Sequence, residues 1–256
     1  MPDFAGQTVL VTGGGSGIGA AVCRSFAEHG ARVAILDIDY PNASRLADQL
    51  TTDGNPCTAI EADISNETQV QAAVQQVADR YSNIDVLVNS AAVFVLKGID
   101  ASVEDWRRIN DVNIMGTALM SKHVVPFMQT QGSGAIVNLG SISSFIAQPE
   151  FVTYNASKAA IVAITRCMAL DLADDGIRVN AVCPGTVWTP VVEQLCRQAG
   201  LDRQQADAHP DWGGAHMLKR IAHPNEIADA VLFLASQQAS FITAECLMVD
   251  GGYTAR

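Results

Sequence analysis

The stretch Thr12-Gly13-Gly14-Gly15-Ser16-Gly17-Ile18-Gly19 (TGGGSGIG, 12–19) decides the fold. The β-branched run TVLVT (8–12) leads into it, and a stretch of helical period (18–29) leads out and stops at His29-Gly30. Glycines between a strand and a helix let backbone approach a pyrophosphate, and the helix N-terminus presents unpaired N–H groups and the positive end of its dipole. Glycines also make ordinary tight turns, so the turn needs its context. The next strand, RVAILD (32–37), ends on Asp37, eighteen residues after Gly19. A carboxylate there can bind adenosine ribose hydroxyls and repels a 2′-phosphate, and Asp39 adds a second negative charge. NAD is therefore expected over NADP.

Outward from this unit the same alternation repeats. Segments 84–88 (IDVLV), 135–139 (AIVNL), 177–182 (IRVNAV) and 247–249 read as strands, and 43–51, 67–81, 103–129, 154–174 and 225–236 as helices. Near-continuous apolar strands indicate burial on both faces, the habit of a parallel sheet covered by helices. The expectation is one doubly wound α/β domain over 1–256. Segment 186–222, rich in Gly, Gln, His and Asp, is the one irregular stretch, and a loop that long is usually functional.

Composition narrows the function classes. The 256 residues carry 16 Lys+Arg against 27 Asp+Glu, a net charge of −11, with 48% hydrophobic and 17% charged residues. That is too apolar for a disordered chain and too acidic to grip nucleic acid or an anionic membrane. None of the six cysteines forms a CxxC pair, so no metal site is expected and the thiols read as reduced. The start MPDFAG lacks the basic and apolar regions of a signal peptide, and apolar runs stop at six residues. A cytoplasmic protein is expected.

Tyr154-Asn155-Ala156-Ser157-Lys158 opens an apolar helix, with Tyr154 and Lys158 four apart on one face. A nearby ammonium stabilises phenolate, and bringing a phenol from ~10 to ~7 needs roughly 4 kcal/mol of differential interaction. A phenol so tuned exchanges protons with an alcohol or carbonyl at neutral pH. Ser141 follows a strand end and so falls at the carboxyl edge of the sheet, where open α/β folds bind ligands. Singly these residues are common; together, downstream of a nucleotide turn, they are not.

With these motifs in family order, the chain resembles the compact NAD-dependent branch of the short-chain dehydrogenase/reductase family over nearly its whole length. The matches are TGGGSGIG (12–19), Asp37, Ala62-Asp63-Ile64, Asn89, Asn113, Ser141, YNASK (154–158), Asn180, PGTVWT (184–189) and VDGG (249–252). The resemblance implies a Rossmann fold, with Tyr154 as general acid/base and Lys158 lowering its pKa while holding the nicotinamide ribose. Ser141 would hydrogen-bond the reacting oxygen, and Asn113 would hold a relay water; a polar residue at a helix kink is the other reading of Asn113. Gly13, Ser16, Gly17, Ile18, Gly19 and Asp37 would hold the cofactor. Asp63 and Ile64 would border adenine, Asn89 and Ala91 the adenosine side, and Pro184, Gly185, Val187 and Thr189 the nicotinamide. Asp63 also fits a helix-start acid. The family's usual Asn-Asn-Ala-Gly is Asn89-Ser90-Ala91-Ala92 here, and Ala222 and Ala244 stand where glycine is common.

Segment 186–222 matches the family's substrate lid. Trp188 and Trp212 would form an apolar wall or anchor the lid to the body. The charges Arg197, Arg203, Lys219 and Arg220 balance Glu193, Asp202, Asp207 and Asp211, and one cation could receive a substrate carboxylate. His209, His216 and His223 read as surface or packing residues. The expected activity is NAD-dependent interconversion of a small secondary alcohol and its ketone, with a similarity in the lid to members acting on hydroxy acids and sugar acids. The alternatives are an NAD-binding regulator or scaffold without turnover, and an epimerase or dehydratase with tightly bound NAD. The resemblance further implies a homotetramer.

Overall fold

Apolar residues at consecutive strand positions need cover on both sides, and the fold supplies it. The computed structural model describes residues 3–255. The chain runs β1 (Thr8–Thr12), α1 (Gly17–Glu28), β2 (Arg32–Asp37), α2 (Tyr40–Thr52), β3 (Cys57–Glu61), α3 (Glu67–Tyr81) and β4 (Val86–Asn89). It continues through α4 (Val103–Ile109), a π-helical stretch (Asn110–Gly116), α5 (Thr117–Gln131), β5 (Gly134–Leu139), α6 (Val152–Asp171) and β6 (Ile177–Pro184). Then follow α7 (Pro190–Gln198), α8 (Arg203–Ala208), α9 (Pro224–Ala235) and β7 (Cys246–Val249). The strands form one parallel sheet in the order β3-β2-β1-β4-β5-β6-β7. Alternate residues feed two cores. Val9, Val11, Val33 and Ile35 pack with Phe26, Leu46 and Val231, whereas Leu10, Leu36, Leu87 and Ile136 pack with Val74, Met120 and Val124. The chain winds outward from β1 to β3 and then returns to place β4 on the other side of β1. Adjacent connections therefore leave in opposite directions there, which opens a crevice at the carboxyl ends of β1 and β4.

Several elements depart from expectation. β3 carries only Cys57 and Ile60 as buried positions and sits at the sheet edge, so its pattern is too mixed to read as a covered strand. The helix expected over 103–129 is interrupted by the π-helical turns at Asn110–Gly116, and α5 accommodates Pro126. Segment 186–222 is not irregular: α7 begins on Thr189, whose side chain accepts from Val192 N, and α8 on an Asp202–Gln205 capping box. Trp188, Val192, Leu201 and Trp212 pack around Cys196, Ala206 and Ile221 as a small separate core. Both ends of the segment are joined by a parallel bridge between Val187 and Ala222.

Ala222 avoids the left-handed region, but Ala244 has φ +63°. A Cβ there costs ~1–2 kcal/mol, partly offset because alanine also restricts the unfolded chain by ~0.4–1 kcal/mol. Ala244→Gly should therefore stabilise the fold by about 0.5–1 kcal/mol, raising Tm by roughly 1–4 °C. Thermal and urea unfolding check this, and an unchanged or lower stability would show that the position is not strained.

Candidate active site

The glycine turn brings three backbone segments into near contact. A Cβ on Gly19 would lie 2.1 Å from the Gly13 carbonyl oxygen, and one on Gly13 would lie 2.7 Å from Ala91 Cα. Thr12 Oγ1 accepts from both Ser90 N (3.0 Å) and Ala91 N (3.1 Å), pinning the β4 loop to the turn. Thr12 was not singled out in the sequence; its position before the first glycine is the signal. Ser16 precedes α1 without a side-chain cap, and the first turn of α1 carries no acid. The N–H groups at this helix start are thus left for an external anion. Asp37 accepts from Gly15 N (2.8 Å) and Asp39 N (2.9 Å), which locks the end of β2 to the turn.

A cleft of about 1590 Å³ runs along this carboxyl edge. That exceeds the ~300–1,000 Å³ of common small-molecule sites and leaves room for a dinucleotide with a second ligand. Gly13, Ser16, Gly17, Ile18, Gly19 and Asp37 line one end. Asp63, Ile64 and Ala91 line the middle; Ser141, Tyr154, Lys158, Pro184, Gly185, Val187 and Thr189 line the rest. The close glycine approach, the uncapped helix start and the volume together fit a nicotinamide dinucleotide.

Some expected residues face elsewhere. Asn89 is buried beneath the cleft, donating to Asn138 Oδ1 (2.9 Å) and Ser121 Oγ (3.3 Å), so its side chain ties β4 to β5 and α5. Asn113 is also buried, in the π-helical stretch; Oδ1 accepts from Val93 N (2.8 Å), and Nδ2 donates to Val93 O and Ser157 Oγ. Both amide hydrogens are used, which places this side chain as a clamp at a helix irregularity. Asp39 caps α2 by accepting from Asn42 and does not line the cleft. Asp63 lines it, yet its Oδ1 accepts from Ser65 N and Oγ, a turn-forming role.

Tyr154 sits early in α6 between two aromatic rings. Phe94 stacks on it with centroids 5.0 Å apart, and Phe151 meets it edge-on at 6.1 Å. The Ser141 hydroxyl is the neighbour that favours phenolate, and Ser141 Oγ accepts from Ser143 N. One turn along α6, buried Lys158 donates to the Leu139 carbonyl (2.7 Å), with Nζ 5.8 Å from the Tyr154 ring centroid. Burial raises the phenol pKa and outweighs the Ser141 hydroxyl, which favours phenolate. Burial lowers Lys158 to about 8. Neither Phe94 nor Phe151 was identified from sequence, since a single aromatic residue carries no signature of what it stacks on.

The lid cations are all engaged. Arg197 pairs with Glu193, Arg203 with Asp207 and the Trp188 ring, and Arg220 bidentately with Glu226, while Lys219 donates to Gly214 O. None of the four lines the cleft. Trp188 anchors the lid's own core, whereas Trp212 both packs there and reaches the cleft wall. His216 is buried with Nδ1 2.6 Å from Asp250 O, and His223 is an exposed residue preceding α9.

Residues 13–254 match the family model described as enoyl-(acyl carrier protein) reductase. The chain belongs to the short-chain dehydrogenase/reductase family. Oxidoreductase UcpA of Salmonella typhimurium is 40% identical, with 99% of this chain and 97% of that one covered. The cis-4-hydroxycyclohexanecarboxylate dehydrogenase of Sinomonas cyclohexanicum is 39% identical, with 98% of both covered. The 2-(S)-hydroxypropyl-CoM dehydrogenase 3 of Xanthobacter autotrophicus is 37% identical, with 97% of both covered. The crystal structure of gox2181 superposes with a TM-score of 0.91 at 31% identity, covering 99% of this chain and 98% of that one. As a member of this family the protein is an oxidoreductase acting on CH–OH groups. Among the described residues no helix is long and apolar enough to cross a membrane.

Lys158 makes the site measurable through stability. Between its folded pKa of about 8 and its ordinary 10.5, the unfolded chain holds a proton that the folded chain has released. Stability contributed by this group therefore rises with pH across that window. Relative to Lys158→Met, the wild type should gain about 2 kcal/mol between pH 7 and 9.5. Urea unfolding of both proteins at the two pH values checks it; parallel pH profiles would mean that the ammonium is not desolvated.

Proposed function

We propose that the protein is an NAD-dependent oxidoreductase that interconverts a small secondary alcohol and its ketone, with Tyr154 as general acid/base. The observation that carries this reading is the buried Tyr154 phenol beside Lys158, in the same cleft as Ser141 and the glycine turn. The named relatives, a hydroxycyclohexanecarboxylate and a hydroxypropyl-CoM dehydrogenase, support a CH–OH substrate. Nicotinamide, when bound, supplies or accepts the hydride. Ser141 positions the reacting oxygen, Tyr154 gives or takes its proton, and Lys158 supplies the positive charge that favours phenolate. Phe94 and Phe151 exclude water from the phenol. Asn113 holds Val93 and Ser157 in place, so that the loop after β4 and the start of α6 keep their spacing. Segment 186–222 acts as the substrate lid, and family membership supports assembly as a homotetramer.

NAD is favoured over NADP by Asp37 and by the neighbouring Ile38, which is 67% exposed in the cleft wall. Among the described residues the cations lining the cleft are Arg108 and Lys158, and neither belongs to the β2 end. A 2′-phosphate would meet a carboxylate and an isoleucine there, without a guanidinium to pair it.

Tyr154→Phe should lower kcat/KM by about 10³-fold, within the ~10²–10⁴ range of proton-transfer catalysis, and leave NADH affinity nearly unchanged. Steady-state assays at 340 nm with a panel of secondary alcohols check this. Full turnover by Tyr154→Phe would remove the assigned mechanism, and tight NADH binding without turnover on any alcohol would favour a regulator. Nicotinamide fluorescence titration should show NADH binding about 10²-fold more tightly than NADPH, a difference of ~2.7 kcal/mol, and Asp37→Ala should narrow the ratio. Equal affinities in the wild type would sink the Asp37 argument.

A further inference from the structure

We propose that the substrate end of the cleft selects an uncharged, ring-bearing secondary alcohol or ketone and disfavours carboxylates. The proposal rests on the reading of Tyr154 and Ser141 as the groups that meet the reacting oxygen.

Apolar side chains line this cleft and stay partly uncovered. Phe94, stacked on the Tyr154 ring, is 51% exposed, so an aromatic surface stands open inside the cleft. On the lid, Val191 and Leu195 lie one turn apart on α7, 42% and 37% exposed, and both line the same cleft. Large apolar groups open to water inside a concave site gain when an apolar ligand displaces that water. A flat or chair-shaped carbon ring presents the broad faces that an open aromatic side chain and a pair of aliphatic ones can cover. The polar groups at Ser141, Ser143 and Gln148 are neutral. Ser143 N donates to Ser141 Oγ, and Ser143 Oγ donates to Gln148 Oε1 at 2.6 Å.

Charge points the same way. Among the described residues the cleft is lined by five carboxylates (Asp37, Asp63, Glu104, Asp111 and Asp211) against two cations. Lys158 is buried and donates to Leu139 O, below the phenol. Arg108 is exposed on α4, with Glu104 one turn before it and Asp111 three residues after, so acids bracket it on its own helical face. The four lid cations are paired or bonded within the lid, as described above. An anionic substrate would enter an electronegative cleft whose described cations are the Lys158 ammonium, held below the phenol on the Leu139 carbonyl, and the Arg108 guanidinium, flanked by two acids.

The test uses two ketones with the same ring, methyl 4-oxocyclohexanecarboxylate and 4-oxocyclohexanecarboxylate, which differ in charge. Binding is measured by calorimetry at pH 7.5 on wild-type protein saturated with NAD⁺, where a ketone has no hydride to receive. The ester should bind at least ~10-fold more tightly than the acid. Phe94→Ala should weaken the ester at least ~5-fold while retaining NADH binding, which reports an intact fold. Equal or tighter binding of the carboxylate overturns the proposal, as does failure of both ketones to bind. Reduction of the same pair by NADH is followed separately at 340 nm. A tenfold preference in binding without turnover of either ketone would leave the selectivity standing and remove the hydride-transfer reading. Turnover with the carboxylate preferred would do the reverse.

Discussion

Backbone touching backbone is the constraint on which the rest of this molecule depends. At the carboxyl end of β1, Gly13 and Gly19 approach so closely that neither has room for a Cβ, and Ala91 from the β4 loop closes against the same point. Glycine is required at 19 by the approach to the Gly13 carbonyl, and at 13 by the approach of Ala91 together with a left-handed φ of +64°. The approach is possible because the chain returns β4 to the free side of β1, so two loops leave the sheet at one edge. Thr12 fixes their separation through two main-chain N–H groups. Once those loops are held, the helix start of α1 points into the crevice, and everything further along the edge, from Ser141 to Pro184, shares one cleft.

The Tyr154 end of the cleft is organised against stability. A buried ammonium and a buried phenol both lose hydration, and Lys158 recovers part of it through one carbonyl of β5. The surrounding polar groups are tied into chains rather than left open. Asn89 bonds Asn138, which donates to Thr165; Asn113 bonds Ser157, which donates to Tyr154 O. These links cross from the sheet to α5 and α6, so the position of Tyr154 is set by groups that never reach the cleft. A fold of this kind tolerates an unfavourable Lys–Tyr arrangement because the large apolar cores on both faces of the sheet carry the bulk of its stability.

Much of the architecture was legible because its signals are local and redundant. The central strands are apolar through their middles, VLV in β1 and VAIL in β2, and the glycine turn, Asp37 and YNASK each sit near a boundary between a strand or loop and a helix. β3 escaped notice because an edge strand needs only half of that pattern. The two lid helices escaped because their apolar residues bury against each other and not against the sheet, so composition read as irregular. Side-chain direction was the least legible property. Asn89 and Ala91 are two residues apart, yet one faces the core and the other the cleft. Asp37 and Asp39 differ in the same way, one reaching back to the glycine turn and the other capping α2. The pairing that engages each lid arginine depends on helix register, which charge counting does not contain.

The π-helical stretch between α4 and α5 has a consequence for how one long rod is shared. Each residue accommodated beyond the regular α repeat turns the remainder of a helix by about 100° about its axis. The two ends of this rod therefore keep different azimuths. α4 packs on α6, where Tyr154 resides, and α5 packs on α3 at the opposite flank of that layer. An unbroken α-helix would carry one apolar stripe and serve one neighbour. The phase change lets a single segment act as two differently aimed supports. Asn113, at the point where the phase slips, reads the register of both through its clamp on Val93 and Ser157. A one-residue deletion anywhere in Asn110–Gly116 would thus leave helical content almost intact while rotating one support out of alignment with the other.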